Sequence, residues 1–130
     1  MDSNTKFSKS QSVTYQAKQR ELDIRLRRLV VKERTLLADI IALLKEIDRR
    51  QVYLELGFPS LFEYLVNGVG YSEGAAQRRI DAARLMADLP DLHERVMRGT
   101  IKLNQAAMIQ KASREVLRLQ QRVVSIEEKR

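Results

Sequence analysis

Apolar residues in the first half of the chain recur in alternating steps of four and three. Leu22, Leu26, Leu29, Leu36, Ile40, Leu43 and Ile47 share one side of a helix, Glu33 takes one position of the series, and Val30, Leu37 and Leu44 widen the stripe. The pattern predicts one helix, or two nearly collinear ones, within an amphipathic segment of residues 15–56. Such a rod would span on the order of 50 Å, more than a small globular core covers by itself. Two coverings are open: later helices folded back, or the same helix of a second copy, because heptad spacing with flanking charge is what a coiled-coil seam requires. Leu29, Leu36, Ile40, Leu43 and Ile47 are the dimerisation candidates.

Gly57 and Phe58-Pro59 end that segment. Ser60 with Glu63 forms a capping-box signature for a short helix carrying Leu61, Phe62, Tyr64, Leu65 and Val66. Gly68 and Gly70 bracket a turn, and Ser72 is the expected N-cap of a helix reaching about Asp88. Leu89-Pro90 opens another helix that Gly99 closes, and a further one with Leu103, Ala106, Ala107 and Ile109 is expected to end near Ala112. Ser113 then caps a last segment bearing Val116, Leu117, Leu119 and Val123. Ser125 with Glu128 reads as one more helix start, so the chain is expected to be a fragment of something longer. The expected fold is all-α: a long N-terminal amphipathic helix packed with a bundle of short helices containing a helix-turn-helix-like unit. The expected boundaries are a disordered leader at 1–14, the long helical segment at 15–56, the helix-turn-helix-like domain at 57–112 and a truncated C-terminal helical segment at 113–130.

The helix after Ser72 carries the sharpest functional signal. A short apolar helix, a glycine-containing turn and a second helix follow the order of a DNA-reading helix-turn-helix. On a wheel, Ala75, Ala76, Ile80, Ala82, Ala83, Met86 and Ala87 share the inner side, and Gly74, Gln77, Arg78, Asp81 and Arg84 the outer one, with Leu85 an exception. Gln77 and Arg78 are the base-edge candidates, since Gln pairs bidentately with adenine and Arg with guanine or phosphate. Ser72, Arg84 and Lys102 complete the expected DNA-contacting set. Arg79 falls within the apolar arc as a structural or phosphate residue, and its structural reading is an ion pair to Glu63 or Asp48.

Charge supports that direction. The chain has 130 residues with 24 Lys and Arg against 17 acidic residues, and a formal net charge of +7. The excess sits at both ends: net +5 over residues 1–34, −2 over 35–67 and +4 over 68–130. There is no Cys, hence no thiolate metal site or disulfide framework. No apolar run approaches the roughly 20 residues that cross a bilayer, and no secretory leader is present, so a cytoplasmic, nucleoid-associated location is expected. Phosphate loops, nucleophile elbows and metal-ligand spacings are absent from the sequence, and the lone His93 reads as a surface residue. No catalysis, cofactor, metal, membrane or small-molecule substrate is expected.

The stretch Glu46-Ile-Asp-Arg-Arg-Gln-Val-Tyr-Leu-Glu-Leu-Gly-Phe-Pro-Ser-Leu-Phe-Glu-Tyr-Leu65, followed by Gly70-Tyr-Ser-Glu-Gly-Ala-Ala-Gln-Arg-Arg-Ile-Asp-Ala-Ala-Arg-Leu85, resembles the helical N-terminal region of bacterial HNH-endonuclease-type proteins. The similarity covers most of residues 33–112. Residues 71–112 also resemble, more weakly, the helix-turn-helix part of ParB-like partition proteins. The first resemblance implies a DNA-directed helical domain attached to a metal-dependent nuclease whose His set this chain lacks. The expected function is therefore a DNA-binding helical module without the nuclease, with double-stranded DNA as partner and a homodimer as a candidate assembly. Basic residues of the N-terminal helix and of the last segments would hold phosphates. The alternative is a helical dimerisation or protein-interaction module with no DNA contact.

Overall fold

A computed structural model describes residues 9–129, with side chains described from Gln11. Six helical elements follow in order: α1 (Lys9–Arg50), α2 (Val52–Glu55), α3 (Leu61–Glu63), α4 (Glu73–Asp88), α5 (Leu92–Arg98) and α6 (Leu103–Glu128). A π-helical stretch, Tyr64–Val69, continues directly from α3. No strand occurs among the described residues, so the chain is all-α. It divides into two compact units, one up to Glu33 and one from Arg34 onward.

The described part of the first unit is helix alone. Leu22, Leu26 and Leu29 are exposed on it, and Arg27 pairs with Asp23 at 2.9 Å. The helix begins at Lys9, ahead of the predicted start. Nothing between Lys9 and Gln16 is Gly or Pro, so a helix already formed propagates through these polar residues. The rest of the expected leader lies outside the described residues.

The second unit owns the core. Its largest buried side chains are Ile41 from α1, Leu65 from the π-helical stretch, Met86 from α4, and Leu92 and Val96 from α5. Each contributes about 1.5–3 kcal/mol of burial. Between them lie Ala38, Ala76, Ala82, Ala83 and Ala106, all essentially inaccessible. Methyl side chains at these contacts let α4 and α6 approach closely.

Local chemistry fixes the element ends. The α1 helix closes with Arg49 and Arg50, cations suited to a helix C-terminus, and Arg49 donates to Glu46 at 2.8 Å. That hydrogen bond holds the Glu46 carboxyl below its ordinary range. Gln51 then adopts a left-handed conformation, φ 53°, which ends α1 at Arg50 and sets α2 apart within the predicted 15–56 helical segment. Ser60 Oγ accepts from Glu63 N–H, whereas the Glu63 carboxylate is taken by Asn67, so only half of the predicted capping box forms. A Cβ on Gly68 would lie 2.8 Å from Phe58 Cζ; glycine there admits the tilted Phe58–Tyr64 ring pair, 5.5 Å between centroids. Gly99, at φ 78°, supplies the left-handed residue that ends α5.

The predicted breaks beyond Ala112 are absent. The α6 helix runs unbroken from Leu103 to Glu128, so Ser113 caps nothing and Ser125-x-x-Glu128 lies inside a helix rather than at its start. No Gly or Pro interrupts this stretch, and a capping motif acts only where the backbone is free to begin a turn.

Candidate nucleic-acid interface

The predicted reading helix forms with the predicted bounds. Ser72 caps α4, its Oγ accepting from Ala75 N–H at 3.2 Å, and the helix ends at Asp88. Its packing differs from the wheel. Ala76, Ile80, Ala82, Ala83 and Met86 are buried as expected, but Asp81 and Leu85 are buried too, and Ala87 is exposed. The reason is α6, which packs along α4 on the side that the sequence left to solvent. A helix-turn-helix reads DNA with a free second helix; here that helix is the centre of the bundle.

Asp81 shows how the outer side is used. Its carboxylate is 2% exposed, lies 3.1 Å from Arg114 Nη2 of α6, and accepts from Gln77 Nε2 at 3.1 Å. Gln77 is half-buried, and its amide donor is committed to Asp81. Arg78 is exposed, with its guanidinium lying back over Gly74. Arg84 is exposed and pairs with Asp48 of α1, Nε to Oδ2 3.4 Å. Ser72, Gln77 and Arg84 thus hold intramolecular bonds, and Arg78 is the member of the set on α4 that presents its charge to solvent.

The other predicted residues are scattered. Lys102 is exposed at the start of α6, where its backbone N–H donates to Gln105 Oε1 at 2.8 Å. Arg79 does not make the predicted ion pair: Asp48 is taken by Arg84. Its guanidinium instead stacks over Tyr71, 4.5 Å from the ring centroid, and donates to the Ala75 carbonyl at 3.1 Å. His93 Nε2 lies 3.0 Å from Asp39 Oδ1, a partly exposed contact between α5 and α1. Among the dimerisation candidates of the second unit, Leu36 and Leu43 are each 62% exposed and Ile40 36%, while Ile47 packs against the core. Leu29, in the first unit, is exposed.

A basic surface that the sequence reading did not single out lies on α6. Lys111, Arg118 and Arg122, with Lys129 at the C-cap, are all exposed, Arg118 pairs with Glu115 at 3.6 Å, and at 100° per residue the four cations fall within an arc of about 40°. The spacing of seven, four and seven was visible, but the predicted break near Ala112 hid the common face. Among the described residues no group of three or more His, Cys, Asp or Glu is placed to hold a metal ion, and no helix is long and apolar enough to cross a membrane.

A family model described as a domain of unknown function, DUF222, matches residues 17–127. The chain belongs to this family. The DUF222 match takes in α2 to α5 whole, nearly all of α6 and most of α1, so the bundle and Lys111, Arg118 and Arg122 of the basic face lie within it. No curated protein and no solved structure matches the chain.

Proposed function

We propose that this DUF222 chain is a DNA-directed helical module, the helical part of an HNH-nuclease-type protein, and that it holds duplex DNA through phosphates rather than base edges. The observation that carries this reading is the exposed row Lys111, Arg118, Arg122 and Lys129 along one face of α6. Cations aligned on a rigid helix are the electrostatic footprint of a polyanion site. The net charge of +7 and the resemblance of residues 46–65 and 70–85 to the helical region of HNH-endonuclease-type proteins support it. Base reading by α4 is the less favoured mode, because the Gln77 amide is engaged by Asp81 and α6 packs along the helix on that side. Arg78 and Lys102 remain as additional phosphate contacts.

Catalysis is not part of the proposal, and neither is a cofactor. Fluorescence anisotropy with a labelled duplex tests it. Lys111→Gln with Arg118→Gln removes two phosphate contacts and is expected to flatten the log K against log salt slope by about 2. An unchanged slope would refute the row as the site.

A second reading, a helical dimerisation or protein-interaction module, is favoured by the exposed Leu36 and Leu43. The two readings are compatible.

A further inference from the structure

From Ile109 onward α6 carries an apolar face that its own bundle leaves largely exposed. Ile109, Val116, Leu119, Val123 and Ile126 are between 42% and 58% exposed, and Ala112 is exposed among them. Their spacing, three and four in alternation, makes Ile109, Val116 and Val123 the a positions of a heptad and Ala112, Leu119 and Ile126 the d positions. The bundle-facing side of the same helix, centred on Ala106, Ala107 and Gln110, points roughly 160° away. The seam therefore faces away from the core that anchors the helix, except at its first position, where Ile109 lines one cleft with Leu85, Leu89 and Leu92.

We propose that α6 pairs with α6 of a second copy as a parallel, in-register two-stranded coiled coil. Three observations select that occupant. The a positions are all β-branched and the central d position is Leu, the arrangement that favours two parallel strands. In that register each Arg122, at g, faces the copy's Glu127, at e, and each Glu115 faces the copy's Gln120, so the flanks are complementary and carry no like-charge pair. Neither Arg122 nor Glu127 has an ion-pair partner among the described residues. The seam spans only about 26 Å, short for a free coiled coil. Here the helix is already held by its first half on the bundle, so association need not supply the cost of forming it. Pairing with Glu127 takes Arg122 out of the phosphate-binding row and leaves Lys111, Arg118 and Lys129 to it; the inference does not rest on DNA binding, and it is tested without DNA.

Sedimentation equilibrium over a range up to hundreds of micromolar is expected to show the mass doubling. Leu119→Asp should abolish the doubling without changing the helical circular dichroism, since its side chain lies outside the core. Arg122→Glu should weaken dimerisation at least tenfold, and Arg122→Glu with Glu127→Arg should restore it. Orientation is read by Ile126→Cys in this cysteine-free chain: a parallel pair places the two thiols side by side, so a disulfide dimer forms in a glutathione buffer. A monomer at every concentration overturns the proposal. So does a dimer that Leu119→Asp leaves intact while Leu36→Asp splits it, or one whose Ile126→Cys thiols fail to join.

Discussion

Arg114 of α6 stands 3.1 Å from the carboxylate of Asp81 at the middle of α4, and that carboxylate is almost wholly withdrawn from solvent. A buried charge of this kind is tolerable only while its partner and its hydrogen bonds are present. Arg114→Leu leaves Asp81 with Gln77 alone. The expected loss is about 3 kcal/mol, the lower end for a broken buried pair because the Gln77 amide remains. Urea unfolding measures it. Arg114→Leu combined with Asp81→Leu should recover much of the loss, since two apolar side chains strand no charge.

Ser72 caps α4 through its side-chain oxygen. Ser72→Ala removes the acceptor for Ala75 N–H and should lower stability by about 1 kcal/mol. The same variant should bind duplex DNA as tightly as the parent in anisotropy titrations. A stable variant with weakened binding would reverse the assignment.

The alanine contacts around α4 are filled. Ala82 is wholly inaccessible, so Ala82→Leu forces side chains off their rotamers and is expected to cost about 1–3 kcal/mol or more. Leu65→Ala, at a site 1% exposed, should cost about 2–5 kcal/mol through the cavity it opens. Leu36→Ala, on the exposed side of α1, should stay within about 0.5 kcal/mol. Midpoints of chemical denaturation rank the three.

Gln51 occupies a left-handed conformation that L side chains adopt at a cost of about 1–2 kcal/mol. Glycine adopts it freely but gains entropy in the unfolded chain. Gln51→Gly is therefore expected to be neutral or to stabilise by up to about 1 kcal/mol, whereas Gln51→Val should destabilise. Thermal melts of the pair give the sign.

The sequence carried the helices better than it carried the faces. Ser72, Gly99 and Pro90 mark real ends because each solves a backbone problem at that residue. Ser113 and Ser125 look alike on paper, yet they lie within α6 because nothing stops the helix that enters them. The Asp81 side of α4 misled for a different reason. A polar residue on a wheel reads as solvent-facing, and only the partner Arg114, 33 residues away, shows that it is a buried ion pair. Gln77 lies on that side too, half-buried with its amide bonded to Asp81. The basic row on α6 was legible in its spacing but was divided by the false break near Ala112.

The salt dependence of binding to two duplexes of equal length and unrelated sequence tests the central claim most directly. Three to six phosphate contacts, from Lys111, Arg118 and Lys129 with Arg122, Arg78 and Lys102 as the additional ones, predict a log K against log salt slope between about −2.7 and −5.4, the same for both duplexes and unchanged by Gln77→Ala. No binding at low salt, or an affinity that differs between the duplexes by a factor of a hundred and falls with Gln77→Ala, would contradict it.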